Sequence, residues 1–256
     1  MTTETPIRVP HVDAEPLVLR LELGACRLRV TPGGEDPWVE GTYSDPTDDL
    51  PPRLDVDGGR VTLRQDRTVG GTVGLLRGAP TCELRLGTAR AFRLELDTGA
   101  SEVDLDVSGV PLVGLHVRSG AGKLAVAVHR PNPADLDEVS LRIGAGSLDA
   151  TGLGNLAAAR LRADTGAAAL SLDLRGELRH HLEARITAGM SGLRVTLPAD
   201  RPVRVSSETT LGSRDIGDGF LTRDGALYTA AEGTPIVDLH ATVALGSLQL
   251  RTAPSS

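Results

Sequence analysis

The strongest constraint on the fold of this chain is a small-residue corner that keeps returning between two alternating runs. Corner glycines are Gly99 in LELDTGASEVDLDV, Gly120 in LHVRSGAGKLAVAV, Gly144 in VSLRIGAGSLDA and Gly166 in ARLRADTGAAALSLDL. Gly189 in LEARITAGMSGLRVTL, Gly212 in VRVSSETTLGSRDI and Gly246 in LHATVALGSLQL continue the series. The intervals are 21, 24, 22, 23, 23 and 34 residues, the last stretched by an insertion. Leu115 and Val117 before one corner, and Leu124, Val126 and Val128 after it, fall on one face, with His116 and Arg118 on the other. Such period-two alternation marks half-buried strands, and no segment sustains a helical period.

A repeat near 22 residues with two or three short strands per period predicts a β-solenoid. One coil cannot bury its own apolar side, but coils stacked about 4.8 Å apart can. The corner residues are tiny because a neighbouring coil lies directly above and below each bend, and glycine also accepts positive φ. Leu124, Leu148, Leu170 and Leu193 should then form a continuous file through adjacent layers.

The same logic disposes of GAGK at 120–123 as a phosphate cradle. The Walker A pattern needs Gly five places before Gly122, where Val117 stands, and Ser or Thr after Lys123, where Leu124 stands. LAVAV continues as a strand rather than starting a helix.

The ends differ from the middle. Residues 1–13 read as a disordered tail, and residues 14–88 as an amino-terminal β module with its own organisation. That module holds another corner, Gly24 in LVLRLELGACRLRV, a hairpin turn at Asp57-Gly58-Gly59, and a Gly-rich loop over 66–80. Solenoid repeats span 89–251, a hairpin within 214–235 turning at Asp224-Gly225 reads as a cap, and 252–256 reads as a loose tail. The expected fold class is all-β: a β-solenoid with an amino-terminal β module and a carboxy-terminal hairpin cap.

Composition narrows the function classes. Net charge is −7, which repels a nucleic-acid backbone, and the five aromatics Trp38, Tyr43, Phe92, Phe220 and Tyr228 are too scattered for base stacking. Nearly all positive charge is Arg, Lys123 being the only lysine. No apolar signal region opens the sequence, and no run approaches the roughly 18 apolar residues of a membrane helix, so a soluble, cytoplasmic protein without direct membrane insertion is expected. Cys26 and Cys82 fit no CxxC spacing and follow strand patterns, as buried small hydrophobes do; their pairing stays open.

Candidate chemistry is thin. Asp97, Asp104, Asp106, Asp149, Asp164 and Asp173 alternate outward, so a glycosidase-type acid pair is conceivable, but solvated strand faces give the same pattern. Ser191 lies in GMSG, where a nucleophile elbow would need Gly in place of Leu193. His180-His181 sits in a turn with no third metal ligand in evidence. No catalytic, cofactor-binding or metal residue is therefore expected; the positions singled out are the structural corners Gly24, Gly99, Gly120, Gly144, Gly166, Gly189, Gly212 and Gly246.

LRLELGACRLRV followed by WVEGTY resembles the start of the toast-rack amino-terminal domain. LRIGAGSLDA and LRADTGAAALSLDL resemble repeats of the bacterial putative-adhesin and LiaF-like carboxy-terminal β domains. The resemblance implies a stacked β architecture, with links in some relatives to envelope-stress sensing or the cell surface, and brings no catalytic residues with it. The expected function is a non-catalytic scaffold or protein-interaction module, possessing an acidic surface suited to a basic partner patch and open to homo-oligomer formation. The alternative is a carbohydrate-binding or polysaccharide-degrading β-helix, which needs outward Asp and Arg side chains to converge in one cleft.

Overall fold

A computed structural model describes residues 3–46, 51–65, 78–234 and 236–255. Its organising element is one long strand per repeat rather than two or three short ones. These are β8 (Phe92–Asp106), β9 (Leu112–Ala127), β10 (Leu136–Thr151), β11 (Ala158–Asp173) and β12 (Leu182–Pro198). Near the carboxy terminus lie β13 (Val203–Ile216), β14 (Phe220–Arg223), β15 (Ala226–Thr229) and β16 (Val237–Ala253). Small residues let the backbone turn without leaving the ladder, so pairing runs through each corner. Alternation slips there: Ile143 is buried, Gly144, Ala145 and Gly146 are exposed, and Leu148 is buried again. This slip puts the apolar residues of both arms on the inside of the bend, and they meet in one core.

Consecutive rungs are parallel and in register. Leu124 pairs with Leu148, Leu148 with Leu170, and Leu170 with Leu193. Each of these leucines is buried, so the expected file is continuous. A further wall comes from the return loops, where a 3-10 helix (Leu153–Leu156) buries Leu153 and Leu156 and the next loop buries Leu174 and Leu178.

The rung order departs from chain order at one end. β16 lies between β12 and β13, parallel to both. The chain therefore passes from β12 out to the terminal rung, β13, and the insertion brings it back to β16. β13 is followed by the β14–β15 hairpin, whose Asp224-Gly225 turn has φ of 50° and 76° at its two central residues, the conformation of a two-residue hairpin loop. β15 runs antiparallel to β13 but covers only Arg204 and Val205.

At the other end, β2 (Val18–Leu23) pairs with the first arm of β8, and β3 (Arg27–Pro32) with its second arm. These two strands are the arms of one rung, bent at Gly24. The sheet continues through β6 (Arg60–Gln65) and β5 (Pro52–Asp57) beyond β2, the latter two joined across Gly58-Gly59. Beyond β3 come β7 (Thr81–Leu86), β4 (Val39–Asp45) and β1 (Thr3–Val9). The module expected over 14–88 thus has no break in pairing at residue 88. Residues 3–9 are a strand rather than a tail, held antiparallel to β4, with Ile7 and Val9 buried. At the carboxy end, β16 reaches Ala253, and Ser255 donates hydrogen bonds to Asp200 from its backbone and hydroxyl. Of the Gly-rich loop expected over 66–80, residues 66–77 lie outside the described residues.

Cys26 and Cys82 are free and buried. Burial pushes the Cys82 thiol up to about 12, reinforced by Cys26 and Glu83. Because the folded thiol resists ionisation, the stability it contributes is full below the unfolded value of about 8.5 and declines as pH rises from there. Native protein at pH 8 should leave both thiols unreactive to a colorimetric disulfide reagent, and chemical unfolding should release both. Alkaline unfolding should begin above the ordinary thiol range and shift upward in Cys82→Ala.

Candidate functional site

Outside the first arm of the stack, side chains that alternate with the buried files form a broad charged face. Arg20 bridges Glu22 at 2.6 Å and Glu95 at 3.5 Å; Arg142 bridges Asp164 at 3.3 Å, and Arg162 bridges Glu138 at 3.4 Å. The last two of these pairs, like Arg20–Glu95 and Arg204–Asp238 at 3.2 Å, cross from one rung to the next. The geometry follows from parallel, in-register stacking, which brings equivalent outward positions of neighbouring rungs side by side.

A groove of about 340 Å³ interrupts this face, lined among others by His116, Arg118, Ser140 and Arg142. A Cβ on Gly114 would come within 2.7 Å of Arg93 Nη1, and the Arg93 guanidinium lies 2.9 Å from Nε2 of the groove residue His116. Arginine can only donate, so Nε2 accepts and the ring proton sits on Nδ1. Arg118 makes no hydrogen bond or ion pair among the described residues, although Asp97 is its register partner on the neighbouring rung. The groove therefore offers an uncommitted guanidinium, that of Arg118, with Asp97 beside it and with Glu95, Glu138, Arg142 and Arg162 already engaged in ion pairs.

At the edge of this face Glu22 accepts hydrogen bonds from Arg64 and Arg20. Burial alone would raise its carboxyl, but the two guanidinium hydrogen bonds and their charges outweigh burial and hold it below the usual range. With the folded-state pKa depressed, the contribution is present above the unfolded value of about 4.3 and disappears as pH falls through the folded value. Glu22→Gln should cost about 1 kcal/mol at neutral pH, and urea midpoints should converge with wild type as the pH is lowered toward 3.

The outward carboxylates do not converge. Asp97 and Asp164 lie on the first arm, whereas Asp104, Asp106, Asp149 and Asp173 lie on the second. Asp104 pairs with Arg29 at 3.6 Å, Asp173 with Arg175 at 2.7 Å, and Asp106 accepts from Ser108. His180 meets Asp135 at 3.2 Å, and no cluster of three metal-ligating side chains occurs among the described residues. Ser191 is a buried corner residue whose hydroxyl has no hydrogen-bond partner among the described residues. Lys123 stands on β9, in register with Glu102 and Ser147, with strand on both sides.

The corner glycines occupy two files separated by one position, a distinction the sequence spacing conceals. Gly24, Gly99, Gly120, Gly144, Gly166 and Gly189 stack one on the next: a Cβ on Gly99 would lie 3.2 Å from Gly24 O, on Gly120 3.1 Å from Gly99 O, on Gly144 2.4 Å from Gly120 O, on Gly166 2.8 Å from Gly144 O, and on Gly189 2.4 Å from Gly166 O. Gly246 instead registers with Ser191, and Gly212 with Gly246, two residues further along the rung. That second file also contains Ser101, Gly122, Gly146 and Ala168, and it is where φ turns positive, at Gly122, Gly146 and Gly246.

Among the described residues no helix is long and apolar enough to cross a membrane. No curated protein matches the sequence. Among solved structures, a putative cell adhesion protein from Clostridium sporogenes is 15% identical with a TM-score of 0.52, covering 99% of this chain and 100% of its own. A putative adhesin from Bacteroides fragilis is 10% identical with a TM-score of 0.41, the coverage being 98% and 97%. The first likeness shows that the stacked fold extends over the whole chain. The family model described as the N-terminal domain of toast_rack, DUF2154, matches residues 1–150, from β1 to the end of β10 and across the boundary expected at residue 88. This chain belongs to the toast_rack amino-terminal-domain family.

Proposed function

We propose that the protein is a non-catalytic interaction module whose contact surface is the charged outer face of the first arm, centred on Arg118. The observation that carries this reading is the distribution of charge. Acidic and basic side chains are spread along the rungs as cross-rung pairs, and the described carboxylates of the groove are mostly neutralised by arginine rather than set against one another across a cleft. A glycosidase needs two carboxyls facing a common substrate position, one of them free to hold a proton. An extended face with one uncommitted guanidinium suits a partner bearing carboxylates, docked across several rungs. The acidic balance of the whole chain points instead to a basic partner patch, but local charge at the groove governs contact there. The adhesion role named for the Clostridium relative is consistent with this reading and enters as part of the proposal.

Chemical cross-linking of the purified chain in lysate from its source, followed by mass spectrometry, tests it. A reproducible partner with cross-links near residues 93–142, lost in Arg118→Glu with unchanged thermal stability, supports the proposal. Recovery of no such partner, or turnover of a polysaccharide by the purified chain, contradicts it.

A further inference from the structure

We propose that two copies of this chain join end to end through the open edge of β13, in antiparallel register about a two-fold axis at its corner. The charged face described above plays no part in this contact.

β13 is the terminal rung. Its inner side pairs with β16 from Val203 to Ile216, whereas on its outer side β15 covers only Arg204 and Val205. From Ser206 to Asp215 the outer edge has no strand partner among the described residues. A long unpaired edge presents backbone donors and acceptors to any strand that fits, and proteins normally blunt or cover it.

Three observations select a second copy as the cover. Along the outer corner, β8 to β11 carry Ala100, Ala121, Ala145 and Ala167, but the last three rungs carry Met190, Leu245 and Leu211 in register. These side chains are 64%, 47% and 64% exposed, forming an apolar ridge on the three rungs nearest the open edge. Second, Ser207 Oγ and Thr209 Oγ1 are buried without a hydrogen-bond partner, and the Arg214 guanidinium has none among the described residues.

The third observation is symmetry. Inward positions on β13 are Val203, Val205, Ser207 and Thr209 before the corner, with Gly212, Arg214 and Ile216 after it; Arg214 and Ile216 stand in register with the core residues Leu248 and Leu250. This series is a palindrome about the midpoint between Thr210 and Leu211. An antiparallel copy centred there places inward on inward along both arms, and a one-residue slip would reverse every side chain. In that register Ser207 faces the second copy's Arg214, and Glu208 faces its Ser213. Ser206 faces Asp215, so no like charges oppose. The unpartnered serine hydroxyl meets an unpartnered donor, and the two ridges run together through neighbouring Leu211 side chains. The contact is isologous, which closes at two copies and leaves no edge for a filament.

Sedimentation velocity from micromolar to hundreds of micromolar concentration, with hydrogen exchange of the same samples, tests the proposal. Wild type should reach twice the chain mass, with slowed exchange over 206–215. Leu211→Glu brings two carboxylates together at the axis but alters an exposed side chain, so it should sediment as a monomer, exchange rapidly over 206–215 and keep the melting temperature that wild type shows at concentrations where it is monomeric. Should Leu211→Glu melt lower, Ser213→Glu provides the same test through a different exposed position, by setting a carboxylate opposite the second copy's Glu208. A monomeric wild type overturns the proposal, as does a dimer indifferent to both variants or protected elsewhere.

Discussion

Gly146→Ala should destabilise the protein by about 4 kcal/mol or more, enough to unfold a marginal domain. Two costs act together. Gly146 has φ of 121°, a conformation that an L side chain reaches only with strain, and its added Cβ would lie 1.9 Å from Gly122 O. The obstructing atom is backbone in a ladder paired on both sides, so relief requires moving a rung. The effect should be graded around the corner. Gly144→Ala, with 2.4 Å to Gly120 O but no positive φ, should cost less; Gly120→Ala, at 3.1 Å from Gly99 O, less again. Gly192→Ala meets only the Ser247 side chain, at 3.6 Å, and should fall within about 0.5 kcal/mol of wild type. Urea denaturation of these four variants gives the order directly. Equal costs at Gly192 and Gly146 would mean that the rungs do not stack at the corner as described.

Asn132→Ala should cost about 3 kcal/mol or more, although it removes little apolar contact. Asn132 is fully buried in a return loop. Its Oδ1 accepts from Leu112 N and Ala134 N, and its Nδ2 donates to Leu112 O and Leu156 O. One amide thus satisfies backbone groups of its own loop, of the first residue of β9 and of the return loop that follows β10. The next loop repeats the device: Asn155 Nδ2 donates to Val128 O, and its Oδ1 accepts from Glu177 N. Deleting the Asn132 amide strands those groups away from water, each at a cost of roughly 1–3 kcal/mol less whatever relaxation or an entering water recovers. Asn132→Asp keeps the acceptor but loses both donated bonds, so it should remain strongly destabilising and become less so as the carboxyl is protonated. Thermal melts of both variants at neutral and acid pH check this; a melting temperature near wild type for Asn132→Ala would remove the loop ladder from the account.

These two positions show what the sequence made legible. Gly144 and Gly120 stand out because their repeats align by spacing alone, and the alternation of Leu115, Val117, Leu124 and Val126 assigns the inward face without ambiguity. Spacing does not give register, however. Gly212 and Gly246 appear equivalent to Gly189 by interval, yet pairing sets them two residues along, because interval counting ignores loop length. Nor could local pattern show that β16 inserts between β12 and β13, since every rung has the same alternation and would pair with any other. Asn132 escaped notice in PNPAD, an ordinary turn sequence, because its partners are carbonyl and amide groups, which the sequence does not distinguish. Residues 3–9 were lost to the tail for a related reason: TETPIRV alternates weakly, and its burial depends on β4. The groove at Arg118 depends on cross-rung register, which brings Asp97, Arg118 and Arg142 side by side from three separate repeats.

The central claim, a single stack of rungs in the order β12, β16, β13, can be measured with pairs of spin labels. Asp104, Ser171, Arg194, Gln249 and Asp215 lie on one outward file, and the buried native thiols should remain unlabelled. With a label at 104 and a second at 171, 194, 249 or 215, pulsed dipolar spectroscopy should give distances rising in that order. Backbone separations are about 14, 19, 24 and 29 Å at one strand spacing per rung. The diagnostic comparison is the last pair: residue 215 precedes 249 in the chain but must lie farther from 104. A shorter distance to 215 than to 249, or distances that fail to climb by rung, would contradict the stack.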